Sequence, residues 1–271
     1  MRETELPQGT IRYRDEGSGP PIVFVHGALV DGRLWEPVVE RLRSTARCVV
    51  PDLPLGAHRI PMRARLDPVG LAELIADLLE RLDLRDVTLV GNDTGGALCQ
   101  LLITRRPERV GRLVLTNCDA FDNFPPAAFR GLIVASRLGL LTALLQSMRI
   151  RPMRKTPLAF GWLAKRELPD ELLASWAEPF LGDAGVRRDT RRLLAAVRRS
   201  QLLDNTARLS EFDRPVLIAW APEDRFFPID HARRLAAIFP DARLEEVPDA
   251  YAFVSLDQPK RVADLIREFT A

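Results

Sequence analysis

Along most of the chain, short apolar runs rich in β-branched residues alternate with longer stretches whose apolar positions recur every three or four residues. That is the pattern of a mainly parallel sheet flanked by helices. Residues 11–14, 22–25, 48–50, 87–90, 113–115, 216–220 and 244–247 read as strands. Residues 31–42, 68–82, 95–104, 231–238 and 259–269 read as helices. The 95–104 segment is apolar on nearly every side, so it is expected to be a buried helix. The alternation stops near Phe121 and resumes after Asn205. In between, strand runs vanish and helical stretches are separated by Pro125, Pro126, Pro152, Pro157, Pro169 and Pro179. The expected architecture is an α/β core, residues 1–120 and 206–271, interrupted by a helical cap, residues 121–205.

Composition narrows the partners. Hydrophobic residues make up 46% of 271, enough for a large core, and the net charge is only +2. The bases are interleaved with acids and with helical apolar positions, which argues against nucleic acid as a partner. Arg149, Arg151, Arg154 and the 187–199 stretch read as solvated faces. The most apolar window, 131–145, contains Arg137 and is too short to span a bilayer, so no membrane partner is expected. Residues 1–10 hold no apolar signal segment, and a cytoplasmic protein is expected. Cys48, Cys99 and Cys118 have no metal-ligand spacing and read as buried apolar residues. No cofactor or metal is implied; the expected partner is a small-molecule substrate.

Three motifs carry chemistry. Leu89-Val90-Gly91-Asn92-Asp93-Thr94-Gly95-Gly96 runs from an apolar strand through G-x-D-x-G-G into an apolar helix. This is the form of a nucleophile elbow with aspartate at its apex, and the helix N-terminus favours negative charge there. The second motif, Val25-His26-Gly27-Ala28, ends a strand as an oxyanion loop does. In that reading the backbone N–H groups of Ala28 and Thr94 face one oxygen, and His26 holds the loop. The third, Trp220-Ala221-Pro222-Glu223-Asp224, places a carboxylate after a strand. The three motifs together resemble the α/β-hydrolase superfamily, and the resemblance implies Asp224 as the candidate acid, with Asp119 in Asn117-Cys118-Asp119 as the alternative that some dehalogenases use.

In this order, and with the cap, the motifs resemble the haloalkane dehalogenase and epoxide hydrolase branch of the α/β hydrolases across essentially the whole chain. The resemblance implies an α/β-hydrolase fold. It also implies that Asp93 attacks an sp³ carbon of a small apolar substrate to give an alkyl ester, which water then cleaves. Asn92, Gly27 and His26 are implied as supporting residues.

The pattern breaks where the triad histidine belongs. In Val247-Pro248-Asp249-Ala250-Tyr251-Ala252-Phe253, Ala252 occupies that position. Of the three histidines, His58 follows a core strand and is the candidate substitute base, whereas His231 starts a helix. Thr94 stands where dehalogenases carry a halide-binding tryptophan, leaving Trp162 and Trp176 as candidate indole donors. The only tyrosines, Tyr13 and Tyr251, fall outside the cap, where epoxide hydrolases place their proton donors. Two further readings stay open: a non-hydrolytic enzyme with Asp93 as general base, and a non-catalytic binding protein.

Overall fold

The computed structural model describes residues 1–64 and 67–271. Eight strands form one sheet: β1 (Arg2–Leu6), β2 (Gly9–Glu16), β3 (Pro21–Val25), β4 (Arg47–Pro51), β5 (Val87–Asp93), β6 (Val110–Cys118), β7 (Val216–Trp220) and β8 (Ala242–Glu246). Their spatial order is β1-β2-β4-β3-β5-β6-β7-β8. The pairings of β1 with β2 and of β2 with β4 are antiparallel, and every other pairing is parallel. The parallel strands are apolar along their length because helices cover both faces. Every residue of β7 is buried, and so is β5 up to Asn92.

Helices α1 (Glu36–Leu42), α2 (Pro68–Arg81) and α3 (Thr94–Ile103) follow β3, β4 and β5. Between β6 and β7 lie α4 (Arg130–Arg137), α5 (Leu141–Gln146), α6 (Arg151–Arg154), α7 (Asp170–Gly182), α8 (Ala184–Ala196) and α9 (Ser200–Thr206), with no strand among them. Helices α10 (Ile229–Ile238), α11 (Val254–Asp257) and α12 (Pro259–Thr270) complete the chain. No single helix among the described residues is long and apolar enough to cross a membrane.

The sequence pattern finds each core strand but misses β1, an edge strand whose residues are mostly polar and which pairs only with β2. The helix expected over 31–42 starts as a 3-10 turn, Gly32–Trp35, capped by Asp31, which accepts the Arg33 N–H at 3.0 Å. Residue 205, the last of the expected cap, lies inside α9, which packs on α3. Asn205 Nδ2 donates to the Gln100 carbonyl (3.0 Å), and Thr104 Oγ1 donates to Asn205 Oδ1 (2.7 Å).

From β3 the chain passes to β4 on one side and then to β5 on the other. The carboxyl ends of β3 and β5 therefore flank the point where strand order reverses, which is where open α/β sheets hold their ligands.

Candidate active site

Asp93 ends β5 and begins the turn into α3 with φ 55° and ψ −131°, a left-handed conformation that costs energy for any residue with a Cβ. The glycines make this turn possible. A Cβ on Gly95 would strike the carbonyls of Val25 and His26, and one on Gly96 would strike the Cys118 side chain. Helix α3 thus starts hard against β3 and β6, which puts Asp93 at the reversal point of the sheet.

Its Oδ1 accepts two backbone N–H groups, that of Ala28 at 3.3 Å and that of Thr94 in a very short contact. The expected oxyanion donors therefore converge, and they converge on Asp93 itself. Burial raises the proton affinity of this carboxyl, and the donors from Thr94 and Ala28 oppose the rise. Gly27 packs against the carboxylate so closely that a Cβ there would lie 2.6–2.7 Å from Asp93 Cβ, Cγ and Oδ1.

His26 is fully buried. Its Nε2 accepts the Leu53 N–H at 2.8 Å, so Nδ1 carries the proton and donates to the Gly27 carbonyl at 2.9 Å. Burial lowers its pKa, so the neutral ring holds the loop in place.

Asp93, Thr94 and Asp119 open onto a cavity of about 100 Å³ between the carboxyl edge of the sheet and the helical insertion. The remaining lining is apolar, with Ala28, Leu29 and Leu98 from the sheet side and residues such as Phe129, Leu145 and Phe160 from the insertion. The structure brings Asp119 to this cavity and does not bring Asp224 there. The Asp224 carboxylate accepts the N–H groups of Phe226 (2.7 Å) and Phe227 (3.2 Å) on one oxygen and Asn117 Nδ2 (2.7 Å) on the other. Burial pushes its pKa up to about 7. The three donors oppose this shift, and the charge of Asp93 adds to it.

Ala252 is fully buried and also lies off the cavity lining. Its carbonyl accepts Asn92 Nδ2 at 2.8 Å, and its neighbour Phe253 donates its N–H to the Leu163 carbonyl at 2.7 Å. No histidine lines the cavity. His58, the candidate substitute base, is turned toward the insertion, with Nε2 3.7 Å from Asp189 Oδ2 on α8. His231 packs edge-on against Phe121. The candidate halide donors are also engaged elsewhere. Trp176 Nε1 donates to Asp31 at 3.0 Å, and Trp162 stacks under Arg225. Among the described residues, no cluster of three or more His, Cys, Asp or Glu could hold a metal ion.

A model described as alpha/beta hydrolase fold matches residues 20–259. The chain belongs to the α/β hydrolase fold family. It is 28% identical to haloalkane dehalogenase 2 of Mycobacterium tuberculosis, over 96% of this chain and 91% of that protein. It shares its fold with an alpha/beta hydrolase fold protein from Burkholderia ambifaria (TM-score 0.84, 22% identity, 98% and 97% of the two chains). It also shares it with a putative ancestral haloalkane dehalogenase (TM-score 0.80, 21% identity, 100% and 99%).

Asp119 and the Asn92 brace are the features least visible in the sequence. Both depend on the register of β5 against β6, where Asp93 pairs with Cys118 after a bulge.

Proposed function

We propose that this chain is a hydrolase whose Asp93 carboxylate attacks a saturated carbon of a small apolar substrate and carries it as an alkyl ester. The observation that supports this reading is the pair of N–H groups on Asp93 Oδ1. They leave Oδ2 without a backbone donor, and this reading takes it as the attacking atom. Once the ester has formed and water adds to Cγ, negative charge develops on the oxygen that already meets two donors. Attack of the same carboxylate on an acyl carbon would give a reactive anhydride, so a saturated carbon suits it better. The helices between β6 and β7 act in this reading as a cap that shapes an apolar pocket and excludes water.

Position 252 is where an imidazole would sit to activate that water, with Asp224 behind it as the acid. Ala252 supplies no base, and His58 and His231 are held elsewhere. General-base catalysis contributes about 10²–10⁴-fold. Without that base, ester hydrolysis slows by such a factor, so a substrate whose leaving group needs no proton, such as 1-bromobutane, leaves its ester to accumulate. Intact-protein mass spectrometry shows a butyl adduct on the chain, absent from Asp93→Ala. A panel of alkyl bromides that leaves the mass unchanged sinks the reading.

The raised proton affinity of Asp93 favours one other reading, a general base in an elimination or isomerisation. That reading gives turnover without any adduct.

A further inference from the structure

Asp119 is 1% exposed, lines the same cavity as Asp93 and carries a carboxyl oxygen, Oδ1, with no hydrogen-bond partner among the described residues. Among the described residues its other oxygen accepts only the hydroxyl of Thr94, at 3.3 Å. The two carboxyls share a backbone link, the Asp119 N–H donating to the Asp93 carbonyl at 3.4 Å. Two buried carboxyls this close do not both ionise readily, and the proton goes to the one with fewer donors. Asp93 has two backbone N–H groups and also draws on the Thr94 hydroxyl, which is the one donor to Asp119 among the described residues. Burial, then the neighbouring charge of Asp93, raise the pKa of Asp119 well above the carboxylate range. Asp93 therefore holds the charge and Asp119 holds the proton. Environments that push two carboxyls apart in this way assign base and acid in an active site.

The rest of the cavity decides what that proton is for. Asp93, Thr94 and Asp119 are the only polar residues in its lining among the described residues. N–H donors speed the departure of a halide, although a good leaving group such as bromide departs without them. Here the Ala28 and Thr94 N–H groups are committed to Asp93, and the indole of Trp176 to Asp31. A departing oxygen needs a proton, and neither tyrosine reaches the lining to supply one.

We propose that Asp119 is the proton donor and then the proton acceptor for chemistry at Asp93, and that the substrate is a small apolar epoxide. The proposal rests on Asp93 being the nucleophile. Asp93 Oδ2 attacks a ring carbon and the carbon–oxygen bond of the ring breaks. The freed oxygen takes the Asp119 proton, leaving a hydroxyalkyl ester on Asp93 and a carboxylate at Asp119. That carboxylate then takes a proton from water as the water oxygen bonds to Cγ of the ester. The tetrahedral intermediate keeps its negative oxygen on the Ala28 and Thr94 N–H groups. Its collapse expels the diol oxygen, which takes the proton of the newly added hydroxyl. Asp93 is again a carboxylate, Asp119 again carries its proton, and epoxide plus water has become diol. The first step generates the base that the second step uses, so the missing imidazole is replaced. A bromide departs without taking that proton, which is why its ester persists.

The test compares two probes on the whole protein and on Asp119→Asn, which is of equal size and cannot ionise. The unaltered protein converts 1,2-epoxyhexane to the diol without accumulating an adduct, and 1-bromobutane leaves a lasting ester on Asp93. Asp119→Asn still takes the butyl ester, which shows that it is folded and that its nucleophile works, but loses about 10²–10⁴-fold in diol formation. Diol formation by Asp119→Asn within tenfold of the unaltered rate overturns the proposal. So does an unaltered protein that takes the butyl ester yet leaves 1,2-epoxyhexane intact, and in that case Asp93 keeps its role. If neither probe reacts with the unaltered protein, the reading of Asp93 fails and the proposal fails with it.

Discussion

Asn92 Nδ2 donates to the Ala252 carbonyl at 2.8 Å, so the residue before the candidate nucleophile braces the loop in which a histidine would complete the site. The same amide reaches Thr116 Oγ1 (3.0 Å) and the Asn117 carbonyl (3.3 Å), which binds the loop to β6 as well. The backbone around position 252 is thus held in place although its side chain is a single methyl. Ala252→His is expected to clear a butyl ester on Asp93 about 10²–10⁴ times faster than the unaltered chain does. Because the site is fully buried, the larger ring costs about 1–3 kcal/mol of stability. Time-resolved intact mass spectrometry after removal of 1-bromobutane measures the clearance. Equal lifetimes in a folded variant would show that base position and ester hydrolysis are unconnected here.

Gly27 sets how close the loop after β3 lies to Asp93. A methyl added there meets three atoms of the Asp93 side chain at 2.6–2.7 Å, so the carboxylate must move. Displacements on the order of 1 Å at a reacting centre cost about a hundredfold in rate. Gly27→Ala is expected to slow ester formation by about that factor while the protein stays folded by circular dichroism. A rate within a factor of three of the parent would mean that the carboxylate is not positioned by this contact.

Asp224 makes stability depend on pH. Its carboxyl titrates at about 7 in the fold against an ordinary value of 3.8, chiefly because it is buried. The fold therefore binds this proton more tightly than the unfolded chain does. The stabilisation is complete below about pH 4 and is lost as pH rises to about 7, at up to about 1.4 kcal/mol per pH unit for this one group. Asp224→Asn has no proton to lose and keeps an oxygen for the Phe226 and Phe227 N–H groups. Melting temperatures measured from pH 4 to pH 8 should fall less steeply for the variant. Parallel curves would place the pH dependence on other groups.

Asp189 joins the insertion to the core. Its Oδ2 accepts the Met62 N–H at 2.7 Å and lies 3.7 Å from His58 Nε2, while Oδ1 accepts Arg188 Nε at 2.9 Å. Asp189→Ala leaves the Met62 N–H without its acceptor and is expected to cost about 1–3 kcal/mol. Urea unfolding measures this as a lower midpoint. An unchanged midpoint would mean that water replaces the carboxylate at no cost.

The core strands could be read from the sequence because parallel strands buried on both faces must be apolar, as β5 and β7 are. The elbow was legible for a related reason, since Gly91, Gly95 and Gly96 are demanded by contacts that any larger residue would break. Strand β1 was not, because an edge strand with polar residues carries no such signal. The destination of His58 was hidden as well. A histidine after a core strand points toward the active edge, but Asp189, 131 positions further on, meets it there, and no local pattern announces that pairing. Asp119 appeared in the sequence only as a substitute acid. Its unpartnered oxygen and its place beside Thr94 depend on the bulge that offsets β5 from β6.

The chain leaves the sheet at the end of β6 and returns at the start of β7, and these strands lie side by side, with Leu113 opposite Val216 and Leu115 opposite Ile218. The long excursion between them therefore opens and closes at one seam. Each doubling of such a loop costs only about 0.6 kcal/mol in closure entropy. Whole helices can be lengthened, shortened or exchanged there without disturbing a ladder hydrogen bond. The carboxylates and N–H donors stand on strand ends, while Phe129, Leu145 and Phe160 come from the excursion. If Asp93 acts as proposed, the groups that work on a bond and the groups that admit a molecule stand on separate stretches of chain, and the second can be altered while the first stays fixed.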